Sequence, residues 1–149
     1  MGTLLDTTDF NDLERAVRRL APANAMAEVS ARLEHQLGAD EEVGIAAITA
    51  SELLNGVHRA TPEHRTRREA FVEAVLAAFP PLPFGLLAAR VHARIWTELA
   101  VAGAGQEVGA HDRLVAATAI AAGWRVGTAN IRHFERIAGL DTLAISFGS

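Results

Sequence analysis

The chain has 149 residues, half of them apolar, with a formal net charge of −4 and a mean hydropathy of +0.15. It contains no cysteine, which excludes disulfides, thiol catalysis and cysteine metal sites. All 14 basic residues are arginine, so mechanisms that need a lysine, such as a Schiff base or a Walker-type phosphate loop, are excluded too.

This length predicts one domain over residues 1–149, long enough to bury roughly 70% of its unfolded surface. The N-terminus has neither the cationic region nor the apolar segment of a signal peptide. No stretch reaches the roughly 18 apolar residues of a membrane span, so we expect a cytoplasmic protein. The mean hydropathy is high for a small monomer, which suggests that a second copy covers part of the surface as a homodimer.

The first third of the chain alternates apolar runs with helical patterns. We predict a strand at about residues 3–6, helices at about 9–20 and 25–37, and a second strand at about 43–48. Gly38 is a plausible end for the second of these helices.

The middle third is helical with one break and one extended crossing. A helix at about 51–59 is followed by Thr61 and Pro62, which suit the start of the next helix at about 63–78. Residues 79–84 contain three prolines, which predicts an extended segment or an edge strand because proline cannot donate to a strand ladder.

The last third predicts a long helix at about 85–102 and another at about 111–122, ended by Gly123. A strand at about 125–128, a short helix at about 131–137 and a final strand at 142–147 complete the chain. Strands alternating with helices in this way indicate an α/β fold, with helices on the faces of a parallel sheet.

Four polar residues stand where this fold would deliver functional side chains. Asp6 ends the first strand, Glu52 follows the second, Asp112 opens a helix, and Asn130 follows the strand at 125–128. Ligands in such sheets collect outside the carboxyl ends of the strands, so we expect these four side chains to converge.

Each of the four also has a purely structural explanation. Thr49 and Glu52 fit a capping box, and Asp112 lies in a first helical turn, where the helix dipole favours a carboxylate. Asn130 is a natural N-cap, and Asp6 could accept hydrogen bonds in a turn. Together, however, three neighbouring acids would repel one another, and a cation would remove that penalty. Carboxylate and amide oxygens suit Mg²⁺ or Mn²⁺ rather than zinc.

The segments around these residues resemble the motifs of one family. Residues 4–7, 48–57, 109–119 and 127–134 are similar, in order and spacing, to successive motifs of PIN-domain toxins of the VapC type. The resemblance implies a three-layer α/β/α PIN-like domain with a short parallel sheet. It also implies an endoribonuclease dependent on Mg²⁺ or Mn²⁺, the toxin of a bacterial toxin–antitoxin pair, whose partners are RNA and a cognate antitoxin protein.

By this resemblance Asp6, Glu52 and Asp112 are the catalytic acids and metal ligands, with Asp6 and Asp112 in direct contact with the ion. Glu52 would bind it through water or act as a base towards the attacking water. Asn130 takes a fourth metal position that is often aspartate in the family. Its neutral amide removes one formal charge, which leaves the choice between one and two ions open.

One segment departs from the family pattern. Asp9, Asn11 and Asp12 stand where family members usually carry aliphatic residues. We expect Asp9 to lie on a solvated helix N-terminus; the alternative is that it joins the metal shell.

Two arginines and one tryptophan invite further roles. Arg113 and Arg132 lie beside proposed site residues and could bind backbone phosphates, or they could pair with the acids. Trp96 lies on an apolar face of the helix at 85–102, which predicts a core or interface position. That helix, with the face formed by residues 53–57, is a candidate surface for a second copy or an antitoxin segment.

Two other functions fit parts of the pattern. An aspartate after the first strand also suits a dehalogenase-like phosphatase or a phospho-receiver domain, but Thr8 stands where the phosphatase needs a second acid. The receiver needs a late lysine, and the chain has none. The other alternative is an inactive PIN-like module that only binds a partner or RNA.

Overall fold

The computed structural model describes residues 2–148, and its five strands form one parallel sheet. The strands are β1 (Gly2–Leu5), β2 (Glu42–Ala46), β3 (Pro81–Leu82), β4 (Arg125–Thr128) and β5 (Thr142–Ala144). Their order is β3-β2-β1-β4-β5. The chain adds β2 and β3 on one side of β1, and then β4 and β5 on the other side. The strand order therefore reverses between β1 and β4, the point at which ligand crevices form in open parallel sheets.

Six helices cover the two faces of this sheet. They are α1 (Thr7–Val17), α2 (Pro22–Leu37), α3 (Ala47–Arg59), α4 (Pro62–Ala78), α5 (Leu86–Val101) and α6 (Ala110–Ala122). Buried side chains of α1 to α4 pack with Leu5 and Ile45 on one face. Those of α5 and α6 pack with Leu4 and Val126 on the other, because successive strand residues point to opposite faces. The expected three-layer α/β/α architecture is confirmed.

The capping box considered as the structural alternative for Thr49 and Glu52 is absent from α3. Helix α3 begins at Ala47, directly after β2, and its N-cap is Ala46, which has no side-chain cap. Thr49 therefore lies inside the helix, where its hydroxyl is buried without a hydrogen-bond partner. Because no loop separates β2 from α3, Glu52 is carried on the second helical turn rather than beside the strand end.

Two boundaries near the C-terminus also differ from expectation. The predicted helix at 131–137 is one 3-10 turn, Ile131–His133. The final strand ends at Ala144 rather than at residue 147, because the strand it pairs with, β4, ends at Thr128, the partner of Ala144. The proline-rich segment contributes the edge strand β3, as predicted.

Trp124 lies across the end of the sheet at which β1 and β2 begin. A Cβ added to Gly2 would come within 2.2 Å of the indole, and one added to Gly44 within 2.4 Å. Only glycine leaves room for this ring, which packs half-buried against the two strands. The opposite end of the sheet, where the strands finish, stays open to side chains from the loops. Within residues 2–148 no helix is both long and apolar enough to cross a membrane.

Candidate active site

Asp6 connects β1, α1 and β4 at the carboxyl end of β1. It is the N-cap of α1 and is only 7% exposed. Its Oδ1 accepts a hydrogen bond from the backbone N–H of Asp9 at 3.1 Å, and its Oδ2 accepts one from the Thr128 hydroxyl at 2.8 Å. The carboxylate is therefore fixed at the point where the strand order reverses.

Glu52 reaches the same edge of the sheet from α3. It is half-buried, and its Oε1 accepts a hydrogen bond from the Thr7 hydroxyl at 2.8 Å. Its Oε2 lies 2.8 Å from Nδ1 of His111, at the start of α6. Glu52 is thus oriented between α1 and α6, and the sequence alone did not single out Thr7 as its partner.

Asp112 enters from the first turn of α6. Its Oδ2 lies 3.1 Å from Nδ1 of His133. Burial raises the pKa of Asp112, the nearby His133 opposes that rise, and the charges of Asp6 and Glu52 add to it. The three acids are therefore close enough to interact electrostatically, as their order along the chain predicted.

Asn130 follows β4 on the other side of the reversal. Its backbone N–H donates to the Thr128 hydroxyl at 2.9 Å, and its Nδ2 donates to the Thr8 hydroxyl at 3.4 Å. Asn130 occupies the N-cap position of the 3-10 turn, as the structural alternative predicted, but its side chain makes no capping hydrogen bond. The amide instead joins the end of β4 to the start of α1, beside Asp6.

A protein-family model identifies the family of this chain. The model of the PIN domain matches residues 13–140, most of the chain. The chain belongs to the PIN domain family. A relative, ribonuclease VapC1 of Rickettsia felis, is 35% identical over 98% of both chains, which extends the likeness to the segment around Asp6.

Solved structures share the PIN fold of this chain. The Rickettsia felis VapBC2 complex with a promoter DNA fragment contains a chain that matches with a TM-score of 0.75 and 22% identity. That match covers 98% of this chain and 100% of the other. A chain of the DNA-bound VapBC complex from Salmonella typhimurium matches with a TM-score of 0.74 and 26% identity. That match covers 96% of this chain and 97% of the other. The phosphatase and receiver alternatives are excluded by the family assignment.

Asp9 is the largest departure from expectation in this PIN domain. It was expected on a solvated helix end, yet no part of it is exposed. Its Oδ2 accepts a hydrogen bond from the backbone N–H of Asp6 at 3.1 Å, the return half of a capping box. Burial raises the pKa of Asp9 from 3.8 to about 9, and the Asp6 carboxylate adds to the rise.

The buried acid gives a prediction for the metal-free protein. Between pH 3.8 and about 9 the folded chain keeps the Asp9 proton and the unfolded chain does not. The folded state then binds more protons, so Asp9 makes the free energy of unfolding fall as pH rises through this range. Asp9→Asn should lessen that fall. Urea unfolding of both proteins in EDTA at about pH 5 and about pH 8 gives the change in the free energy of unfolding between the two pH values. An equal change in the two proteins would contradict the prediction.

The donor set fits a hard divalent ion. Carboxylate oxygens from Asp6, Glu52 and Asp112, with an amide oxygen from Asn130, are ligands that Mg²⁺ and Mn²⁺ accept. Among residues 2–148 no three acid or histidine side chains already stand together as an ion-binding group. Instead, Glu52 contacts His111, whose side chain is 57% exposed, and Asp112 contacts His133, whose side chain is 52% exposed. These histidines can turn outward without disturbing the core.

The two arginines considered for substrate binding differ in position. The Nη1 of Arg113 donates to the carbonyl of Val108, in the loop before α6, at 2.9 Å, and its guanidinium lies 5.4 Å from the ring centre of Trp96 on α5. Arg132 is exposed on the 3-10 turn that follows Asn130. Trp96 is 57% exposed, so its expected place in the core is wrong, and an interface role stays a prediction.

Proposed function

We propose that this chain is a metal-dependent endoribonuclease and the toxin of a bacterial toxin–antitoxin pair. The observation that carries the proposal is the convergence of Asp6, Glu52 and Asp112 from β1, α3 and α6 beside the reversal in strand order. The relative named ribonuclease VapC1 supports RNA as the substrate. The excess of acids at a site that would bind an anionic strand supports a cation between them.

Mg²⁺ is the proposed ion, with Mn²⁺ as its substitute. Asp6 and Asp112 would hold it directly, and Asn130 would add a neutral oxygen. When bound, the ion supplies the charge that activates a water and steadies the departing oxygen of the RNA chain.

Glu52 is the proposed base. Hydrolysis adds water across a phosphorus–oxygen bond, and the proton of that water needs an acceptor as the bond to phosphorus forms. Thr7 occupies only Oε1 of Glu52, which leaves Oε2 for the water once His111 turns away. Arg132, exposed beside Asn130, is proposed to bind a backbone phosphate. Arg113 could do so only by leaving Val108 and Trp96.

A protein partner is part of the proposal. The solved relatives from Rickettsia felis and Salmonella typhimurium are VapBC complexes, which supports a cognate antitoxin for this chain. Its α5 leaves large apolar side chains exposed: Leu86, Leu87, Trp96 and Val101. Exposed apolar area of this kind marks interaction sites, so we propose that α5 contacts the antitoxin or a second copy of the chain.

Brief expression of the chain in bacteria, followed by mapping of new RNA 5′ ends, tests the activity. Asp112→Asn removes one acid from an otherwise unchanged surface and is the matched control. We expect discrete new ends with the natural chain and none with the variant. Cleavage that persists in Asp112→Asn would contradict the assigned site.

The same experiment separates the proposal from the inactive-module alternative. A module that only binds RNA would produce no new ends but would still retain RNA in a pull-down. Repeating the cleavage with purified protein in Mg²⁺ and in EDTA tests the ion separately, and full activity in EDTA would contradict metal dependence.

A further inference from the structure

A cleft opens to solvent beside Glu52, and the proposed reaction gives this cleft no task. It lies between α1, α3 and α4 and has a volume of about 100 Å³. Thr7, Asn11 and Glu14 line it from α1, because residues three or four positions apart lie on one side of a helix. Thr7 also donates to Glu52 at 2.8 Å, so one end of the cleft is the proposed base itself. A group held in the cleft would therefore lie next to the reacting phosphate.

A charged pair lines the cleft at the Glu14 end. Nη2 of Arg68, on α4, lies 3.0 Å from Oε1 of Glu14, whose side chain is only 14% exposed. Oε2 of Glu14 can still accept hydrogen bonds, and the other N–H groups of Arg68 can still donate them. The amide of Asn11 adds a further donor and acceptor. Donors and acceptors thus lie side by side, as recognition of the edge of an unpaired nucleobase requires.

The remaining walls of the cleft suit a flat ring. Leu53 and Phe71 line it with apolar side chains. Gly56 leaves room between α3 and α4, since even a Cβ added there would lie 3.7 Å from Nη1 of Arg68. A cavity of about 150 Å³ is enough to hold a benzene ring. An open cleft of about 100 Å³ can therefore take the edge of a base.

The charge of the cleft argues against a phosphate as the occupant. Glu14 and Glu52 bring two carboxylates, and Arg68 brings a single guanidinium, so the formal charge of the lining is negative. This excess would repel a phosphate, whereas a nucleobase is neutral.

Guanine is the base whose edge matches these groups best. It carries two adjacent donors, N1–H and N2–H₂, which fit the two oxygens of one carboxylate. Its O6, next to N1, is an acceptor that arginine commonly binds. The N1–H is accessible only when the base is unpaired, as in the single-stranded regions where proteins read RNA sequence.

We propose that the cleft between α1, α3 and α4 binds an unpaired guanine next to the bond that is cut. Glu14 accepts from its N1–H and N2–H₂, and Arg68 donates to its O6. This inference rests on the proposed ribonuclease function and adds a base preference to the same site. Glu14 and Arg68 contact the base rather than the reacting atoms, so they determine which sequence is cut.

Two-dimensional NMR of the metal-free protein, titrated with the four nucleoside 5′-monophosphates, tests the cleft without using cleavage. We expect GMP to shift the side-chain signals of Asn11 and Arg68 and to bind at least about fivefold more tightly than the other three, as a bidentate base contact does. Inorganic phosphate is the control for the phosphate group. Equal shifts with inorganic phosphate, or no response of these signals to GMP, would overturn the inference.

Two variants make the test specific. Gly56→Met fills the cleft, and the position accepts a side chain because a Cβ there makes only ordinary contacts. It should abolish the shifts caused by GMP. Glu14→Gln keeps the size of the side chain but cannot accept from both guanine donors, so the preference for GMP should fall below about twofold. Glu69→Gln, which removes an exposed acid beside Arg68 and outside the cleft, should keep the preference.

Circular dichroism of each variant confirms that folded proteins are compared. GMP binding that is unchanged in Gly56→Met, or a preference that survives in Glu14→Gln, would overturn the assignment of the cleft.

Sequencing of the RNA ends produced by the natural chain separates failure of this inference from failure of the proposed function. We expect guanine at one fixed position beside the cuts, with the preference lost in Glu14→Gln and kept in Glu69→Gln. Cuts without a guanine preference would reject the role of the cleft and leave the ribonuclease function standing. Binding of GMP in the cleft by a chain that cuts no RNA would reject the function and leave the base site standing.

Discussion

Purified protein carrying Asp6→Asn is expected to lose RNA cleavage by at least about 100-fold, since metal-ion stabilisation of the transition state is worth several kcal/mol. The variant keeps the atom that caps α1, because an asparagine Oδ1 can accept the hydrogen bond from the Asp9 N–H. Thr128 can rotate its hydroxyl to accept from the new amide. The free energy of unfolding should therefore change by only about 1 kcal/mol.

Cleavage of a labelled RNA measured as a time course, with thermal unfolding in parallel, checks this expectation. Asp40→Asn is the matched control, because it removes one acid from an exposed loop before β2, at the opposite end of the sheet. Undiminished cleavage by Asp6→Asn would remove the metal mechanism. A large drop in melting temperature would instead mean that Asp6 is chiefly structural.

Phe134→Ala is expected to have the largest effect on stability. Phe134 is fully buried among side chains of α5, α6 and β4, and it anchors the segment that follows β4. Truncating a buried phenylalanine typically costs about 3–5 kcal/mol. For a chain of this size such a loss lowers the melting temperature by on the order of 10 °C.

Thermal and urea unfolding measure this cost, and Phe84→Ala serves as the control. Phe84 is 39% exposed, so the same truncation there should cost about 1 kcal/mol or less. Equal losses in the two variants would show that the segment after β4 is not held by Phe134. Because that segment carries Asn130 and His133, we also expect the metal-free site to become less ordered in Phe134→Ala.

The alternation of apolar runs with helical patterns was enough to predict the parallel α/β fold, and the positions of Asp6 and Asn130 after strands predicted that they would lie at one edge of the sheet. Asp6 and Asn130 each follow a strand, and parallel strands deliver their ends to one edge, so topology brings them together whatever the intervening helices do. The proline-rich edge strand could also be predicted from the sequence, because proline restricts where a strand can pair.

Tertiary contacts decided what the sequence could not. The polar residues Asp9, Asn11 and Asp12 are typical of a solvated helix start, but Asp9 is fully buried and exchanges hydrogen bonds with Asp6. The capping box at Thr49 could not be excluded from the sequence, because β2 passes directly into α3 at Ala47 and the helix begins without a polar cap. The direction of Arg113 depends on Trp96 in α5, a residue 17 positions away in the chain.

The contrasting positions of the two tryptophans give the chain a pair of built-in optical reporters. The sequence has no tyrosine, so its intrinsic fluorescence comes almost wholly from these two indoles. Trp124 rests on the glycine backbone of β1 and β2 and will report whether the sheet is formed. Trp96 stands largely in solvent on α5, so its emission will shift to shorter wavelength only when another molecule covers that helix. Folding and docking can therefore be followed separately in one sample, without attaching a dye.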